Sequence, residues 1–117
     1  PDYSSAASDV YKRQTIAIFA VMSDKDCRDM IAAVEPVIAE WYLPSGIGGA
    51  RGQSPEVIIG FIPGRAHVTP TFESAFQGAM ASLADGGRLI IFGSFFTVGE
   101  GMKALDSLRL SPLDSQS

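Results

Sequence analysis

Two short, uninterrupted apolar runs constrain the fold of this chain more than any other feature of its sequence. The first is Thr15–Met22 (TIAIFAVM) and the second is Arg88–Phe92 (RLIIF), and both contain β-branched residues. Apolar runs of this length without polar alternation are typical of strands buried on both faces of a parallel sheet. Each run is far shorter than the about 20 residues that a membrane-spanning helix needs. The chain is therefore predicted to form a sheet that is covered on both sides.

Segments with helical periodicity separate the predicted strands. Apolar residues recur at helical spacing from an N-cap at Asp26 to Ile38, and Pro36 is expected to kink or shorten that helix. The clearest helical stripe begins after a cap at Thr71 and ends at Gly86-Gly87. The remaining predicted elements are short strands at residues 41–43 and 66–69, a short helix at 55–61 and a last helix at 98–108. This alternation predicts an α/β fold, with a Rossmann-like, mostly parallel sheet and helices on both faces.

The length of 117 residues is enough for one domain and leaves no room for two independent cores. Residues 15–108 carry all the periodic segments and are interpreted as that domain. Residues 1–14 show no usable periodicity and are interpreted as a tail, for which a non-native origin in flanking sequence is one explanation. Residues 109–117 are polar, include Pro112 and are predicted to form a frayed C-terminal tail.

Composition excludes several classes of function. The net charge of −4 argues against nucleic-acid binding through a basic face. A single cysteine, Cys27, forbids an internal disulfide and any multi-cysteine metal site. The sequence also lacks a signal-peptide pattern and a membrane span, so we expect a cytoplasmic protein. A complete ATP-dependent enzyme is not expected at this length, which suggests a fragment of a larger one.

Three polar clusters follow predicted strands or lie close to their ends. They are Ser23–Asp26, the glycine-rich loop Pro44–Gly52 with Arg51, and Gly93-Ser94. In open parallel sheets, ligands bind beyond the carboxyl ends of the strands. We therefore expect the three clusters to lie on one rim of the sheet.

Each cluster has a functional and a structural interpretation. In the functional interpretation, Lys25 would hold a carboxylate or phosphate beside a helix N-terminus. In the structural interpretation, Lys25 lies in a solvated turn and Asp26 caps the helix that follows. The spacing alone favours the structural interpretation. Ser94 would donate a hydrogen bond to a substrate, or it caps the last helix, and the sequence does not separate the two. Arg51 would clamp an anion, although a surface charge is favoured.

The sequence contains neither a nucleotide-binding motif nor the pattern of a catalytic triad. The phosphate-loop pattern G-x-x-x-x-G-K-[ST] is absent, and the glycines at 46 and 48 begin a G-x-G-x-x-G spacing that Arg51 interrupts. His67 has no triad partners in its surroundings and is predicted to be structural or solvent-facing. Cys27 is predicted to pack in the first turn of a helix. We predict no catalytic, cofactor-binding or metal-binding residue in this chain.

Taken in order, these clusters resemble the C-terminal domain of the folylpolyglutamate synthase family, whose members in many bacteria are also dihydrofolate synthases. The matching pieces are the apolar strand leading into Ser23–Asp26, Glu40–Tyr42 leading to Gly49–Gly52, and Gly93–Glu100. The resemblance covers about residues 15–108, and it implies the C-terminal domain type of the Mur ligase superfamily.

The resemblance implies an ATP-dependent ligase that joins an acid to an amino acid through an acyl phosphate. The acid would be a folate, whose γ-carboxylate receives glutamate, or dihydropteroate. ATP and Mg²⁺ would be held by a separate ATPase domain, while this domain positions the incoming glutamate. The chain is thus expected to be a glutamate-positioning fragment that binds neither ATP nor Mg²⁺ and is inactive without its N-terminal partner domain.

The resemblance also implies roles for four residues. Lys25 would hold a carboxylate of glutamate or stabilise phosphate charge, and Asp26 would cap its helix and orient Lys25. Ser94 would donate to the amino-acid carboxylate, and Arg51 would lie at the domain interface or near the substrate tail.

The chain departs from the family pattern in three ways. A phosphate loop and the family's His-Asn-Pro segment are both missing. Phe96 stands where some bifunctional relatives have histidine, so dihydrofolate synthase activity is not assigned. The alternative is a small stand-alone α/β binding or signalling module without catalysis, such as a receiver-like domain with Asp24 and Asp26 as an acidic pair.

Overall fold

A four-stranded, all-parallel sheet forms the centre of the protein, which a computed structural model describes over residues 14–116, with side chains at 14–94 and 96–107. The strands are β1 (Thr15–Phe19), β2 (Glu40–Pro44), β3 (Arg65–Thr69) and β4 (Arg88–Phe92), and their order in the sheet is β3-β2-β1-β4. The helices are α1 (Cys27–Val34), α2 (Pro55–Ile59), α3 (Phe72–Ser82) and α4 (Phe95–Gln116). The predicted α/β class and parallel sheet are confirmed.

Strand β1 divides its side chains between two helical layers because successive residues of a strand point to opposite faces. Ala17 and Phe19 belong to a core cluster with residues of α1 and α2. Ile16 and Ile18 belong to a second cluster, which includes residues of α3. All four side chains are fully buried. The prediction of helices on both faces of the sheet is therefore confirmed.

The first apolar run leaves the sheet earlier than the sequence predicts. The run extends to Met22, but β1 ends at Phe19. Beyond it, the Gln53 backbone nitrogen donates to the Val21 carbonyl at 2.8 Å, and Met22 forms an isolated antiparallel bridge with Gly52. The end of the run is therefore paired with the glycine-rich loop rather than with a neighbouring strand.

The predicted effect of Pro36 on the first helix is confirmed. Helix α1 ends at Val34, and a short 3₁₀ turn at Glu35–Val37 contains the proline. Proline lacks the N–H that an α-helical turn requires, so the helix stops two residues before it.

At both ends of the predicted domain, the structure describes further residues, namely Gln14 and residues 109–116. Gln14 belongs to the fold, because its side-chain nitrogen donates to the Ser82 carbonyl at 3.1 Å and its side-chain oxygen accepts from the Ala84 nitrogen at 2.6 Å. Residues 1–13 lie outside the described residues. Helix α4 begins three residues before Val98 and continues through 109–116, where a polar tail was predicted. Pro112 lies within this helix, where a proline removes one backbone hydrogen bond and favours a kink.

Candidate functional site

A cavity lies at the point where the order of the sheet reverses. Strand β1 is flanked by β2 on one side and by β4 on the other, and ligands of doubly wound sheets bind at such a switch point. The cavity, of about 520 Å³, is here named the rim cavity. It is lined by Met22, Lys25, Gly93, Ser94, Phe96 and Val98. The structure thus brings together Lys25 and Ser94, which are 69 positions apart in the sequence.

Gly93 allows the carboxyl ends of β1 and β4 to approach each other closely. Its φ is +123°, a backbone conformation that side chains with a Cβ rarely adopt. A Cβ atom at this position would also overlap with the carbonyl oxygen of Ala20. Two independent constraints therefore require glycine at the base of the rim cavity.

Thr97 fixes the N-terminus of α4 above the end of β1. It is fully buried, and its hydroxyl donates to the Ala20 carbonyl at 2.7 Å. Its backbone nitrogen donates to the Ser94 Oγ at 3.2 Å. Thr97 was not among the site residues that the sequence predicted. Ser94 followed by Thr97 three positions later has the spacing of a hydroxyl N-cap and a polar partner at a helix start, and this spacing could have identified Thr97.

Ser94 caps helix α4, which was one of its two predicted roles. The Ser94 and Thr97 hydroxyl oxygens are 2.9 Å apart. Because the Thr97 proton is directed at a carbonyl, which only accepts, Ser94 must donate in this pair. The Ser94 proton therefore points at Thr97. A bond from Ser94 to a substrate would require this hydroxyl to rotate.

Lys25 is an exposed cation beside the rim cavity. Its backbone nitrogen donates to the Met22 carbonyl at 3.1 Å, which closes the turn after β1. Among the described residues, no salt bridge involves Lys25. Its ammonium group is thus available to an anionic ligand.

Asp26 is the N-cap of α1, as predicted. Its carboxylate accepts from the Asp29 backbone nitrogen at 3.4 Å. Asp26 and Lys25 both line a second cavity of about 350 Å³, between the start of α1 and helix α2. Asp26 is not among the residues that line the rim cavity.

The structure does not bring the Arg51 side chain to the rim cavity. Arg51 ends a 3₁₀ turn at Gly49–Arg51 and its side chain is exposed. Its carbonyl accepts from the Ser23 backbone nitrogen at 2.8 Å. Through this bond, the glycine-rich loop holds the turn that carries Lys25.

His67 and Cys27 have structural environments. His67 Nε2 lies 2.5 Å from Glu40 Oε2, and the imidazole stacks on Tyr42 with 4.8 Å between ring centroids. Cys27 is buried at the start of α1, and this burial raises the pKa of its thiol. A raised thiol pKa lowers the thiolate fraction and hence the reactivity. Cys27 therefore has the packing role that the sequence predicted, and the exposed His67 agrees with the prediction of a structural or solvent-facing residue.

Among the side chains described, those of residues 14–94 and 96–107, no three or more of histidine, cysteine, aspartate or glutamate converge to hold a metal ion. None of the helices within residues 14–116 combines the length and the hydropathy that a bilayer-spanning segment requires.

The parallel order β3-β2-β1-β4, with a cavity at its switch point, defines a Rossmann-like α/β domain.

No family model matches the sequence. Two curated proteins named dihydrofolate synthase/folylpolyglutamate synthase are similar to it. The one from Escherichia coli K12 is 26% identical over 96 residues, covering 82% of this chain and 22% of that protein. The one from Haemophilus influenzae is 28% identical over 90 residues, covering 73% and 20%.

Solved structures agree with the sequence matches. Bifunctional folylpolyglutamate synthase/dihydrofolate synthase from Yersinia pestis, complexed with AMPPNP and Mn, has a TM-score of 0.74 and 27% identity, covering 88% of this chain and 25% of that one. Folylpolyglutamate synthase from Mycobacterium tuberculosis with ADP shares the fold, with a TM-score of 0.70, 22% identity and coverage of 86% and 25%. The chain spans about a fifth of the length of its curated relatives. Its resemblance to folylpolyglutamate synthases is thereby confirmed.

Proposed function

We propose that this chain is the C-terminal, glutamate-positioning domain of an ATP-dependent folate γ-glutamate ligase. Two curated relatives are named dihydrofolate synthase/folylpolyglutamate synthase, and the solved relative from Yersinia pestis is a complex with AMPPNP and Mn. The observation that supports the proposal most is the position of Lys25 in the rim cavity, beside the N-terminus of α4. A cytoplasmic location and a role in folate metabolism are part of this proposal.

The role of this chain is confined to binding and orientation. The sequence has no phosphate loop, and the described residues offer no cluster of metal ligands. ATP and Mg²⁺ therefore do not fit the residues present here, and we assign them to a separate ATPase domain. The 117-residue chain is expected to need that domain for turnover.

Lys25 would orient the amino acid whose amine forms the new amide bond. Its exposed ammonium group would bind a carboxylate of glutamate, and the N-terminus of α4, which borders the same cavity, adds the positive end of a helix dipole. Fixing one carboxylate restricts the directions in which the amine can point. Such orientation raises the rate of a reaction between two bound groups.

The test combines this chain with an intact ATPase domain of the family, by fusion or by mixing, and measures glutamate addition. We expect Lys25→Ala to lower kcat/KM for glutamate about tenfold or more, since a charge-assisted hydrogen bond contributes about 1.5–3 kcal/mol. The matched control is Lys103→Ala, because Lys103 is an exposed lysine on α4 that pairs with Glu100 at 3.4 Å. Unchanged turnover in the Lys25 variant would contradict the proposed role.

The order of the strands argues against the alternative of a receiver-like module. Such modules belong to the flavodoxin-like group, whose strand order is 2-1-3-4-5. In this chain β1 lies between β2 and β4, and β3 is at an edge. No observation in the described residues favours the signalling module over the ligase domain.

A further inference from the structure

Met22 contacts both the rim cavity and the glycine-rich loop. It lines the cavity together with Lys25. A Cβ atom added at Gly48 in the loop would lie 2.7 Å from the Met22 sulfur and 3.2 Å from its methyl carbon. Nonbonded carbon atoms pack best at about 3.5–4.0 Å, so neither distance is tolerated without movement. The Met22 thioether therefore occupies space that any side chain at position 48 would need.

The backbone is held on both sides of this contact. Met22 pairs with Gly52 in an isolated bridge, and its carbonyl accepts from the Lys25 nitrogen at 3.1 Å. In the loop, the Arg51 nitrogen donates to the Gly48 carbonyl at 3.2 Å. The methionine side chain, by contrast, is unbranched and adaptable. A side chain at position 48 would therefore be accommodated by movement of the Met22 thioether rather than by movement of the backbone.

We propose that Gly48 is a positioning residue, whose lack of a side chain lets the Met22 thioether lie against the glycine-rich loop and keeps the rim cavity open beside Lys25. A thioether pushed off the loop would enter the cavity, because the cavity is the open space that Met22 borders. Gly48 is not among the residues that line the cavity and acts through Met22. This inference deepens the proposed function and rests on it for the ligand, glutamate, that enters the cavity.

Gly46 provides a matched control for backbone strain. Gly46 and Gly48 belong to the same loop and have the same φ of +80°. A Cβ atom at Gly46 would meet no atom within 4 Å. Gly46→Ala and Gly48→Ala thus place alanine in the same left-handed conformation, but only the second displaces Met22. We expect both substitutions to lower the thermal-unfolding midpoint of the full chain by similar amounts.

NMR on the full chain, with isotope-labelled methionine methyl groups, measures the displacement directly. The Met22 signal is assigned by its loss in Met22→Leu. Phe96 lines the same cavity, so nuclear Overhauser effects between the Met22 methyl group and the Phe96 ring should become stronger in Gly48→Ala. They should be unchanged in Gly46→Ala. A Met22 methyl group that does not approach Phe96 in Gly48→Ala would overturn the inference.

Glutamate addition, measured with an intact ATPase domain of the family as above, reports the consequence for binding. Gly48→Ala should raise KM for glutamate about fivefold or more and leave kcat within about twofold, as expected for a loss of uniform binding. Gly46→Ala should leave KM unchanged. In a Met22→Ala background, Gly48→Ala should no longer raise KM, because the thioether that it displaces is absent. An equal rise of KM in Gly46→Ala, or a rise that persists without Met22, would overturn the inference.

Failure of this inference is distinguishable from failure of the proposed function. If Lys25→Ala lowers kcat/KM while Gly48→Ala and Gly46→Ala behave alike, only the role of Gly48 is overturned. If Lys25→Ala leaves turnover unchanged while the Met22 methyl group approaches Phe96 in Gly48→Ala, glutamate positioning is overturned and the effect of Gly48 on the cavity is supported.

Discussion

Individual residues at the rim have separable tasks. Gly93 and Thr97 hold the ends of β1 and β4 and the start of α4 in place, through their contacts with Ala20. Lys25 and Phe96 are exposed and are not needed for that framework. Substitutions at the first pair should therefore change folding stability, and substitutions at the second pair should change ligand binding.

Gly93→Ala is expected to destabilise the protein by about 2–4 kcal/mol, since it combines a strained φ with a clash against backbone. Chemical denaturation of the full chain measures this change. Gly99→Ala is the matched control, because a Cβ at Gly99, within α4, would meet no atom within 4 Å. That substitution should stabilise the helix by up to about 1 kcal/mol. Equal effects of the two substitutions would contradict the close approach at Gly93.

The pH dependence of Cys27 follows from burial. Burial raises the pKa of the Cys27 thiol in the folded protein, so the neutral thiol is the form that the fold favours. The contribution of the neutral Cys27 thiol to the free energy of unfolding is fully present below the pKa of the thiol in the unfolded chain. It is lost as the pH rises through the raised pKa of the folded state. We expect the free energy of unfolding to fall in this alkaline range, and to fall less in Cys27→Ala.

A disulfide-exchange reagent should label the native protein more slowly than the unfolded chain at the same pH, and equal labelling rates would be inconsistent with a buried thiol.

At the scale of elements, the apolar runs and glycine breaks were enough to predict the strands and most helices. β4 was predicted at its observed residues, and β3 begins one residue before the predicted start. The start of α4 was missed, because a serine that caps a helix and one that binds a substrate look the same in sequence. The meeting of Lys25 and Ser94 followed from the rule for strand ends. The contact of Gly93 and Thr97 with Ala20 did not, since it depends on which strand pairs with β1.

Ser94 provides a test at this scale, because its effect on helix α4 can be separated from contact with a substrate. Ser94→Ala should destabilise the protein by about 1 kcal/mol through loss of the cap, whereas Ser94→Asn retains a good N-cap and should cost less. Thermal unfolding of both variants measures the difference. If Ser94→Ala left stability unchanged but abolished glutamate addition with an ATPase domain, the hydroxyl would act on the substrate instead of the helix.

At the scale of the whole molecule, stability should be highest at the centre of the sheet and lowest at its β3 edge. β1 pairs with neighbours on both sides and its residues are buried, whereas β3 pairs only with β2 among the described strands and is largely exposed. Native-state hydrogen exchange should therefore protect amides of residues 16–18 more strongly than those of 66–68. Uniform protection across the sheet would contradict this order.

The close approach of Gly93 to the Ala20 backbone has a consequence for how such a domain diversifies. Because a Cβ atom at position 93 would overlap with Ala20, the fold constrains the backbone beside the rim cavity, whereas the side chain at position 96 is exposed. A new residue at that position alters what the cavity accepts while the chain folds as before. Ligand selectivity and folding stability thus depend on different positions, 96 and 93, and a substitution at position 96 can change the first without lowering the second.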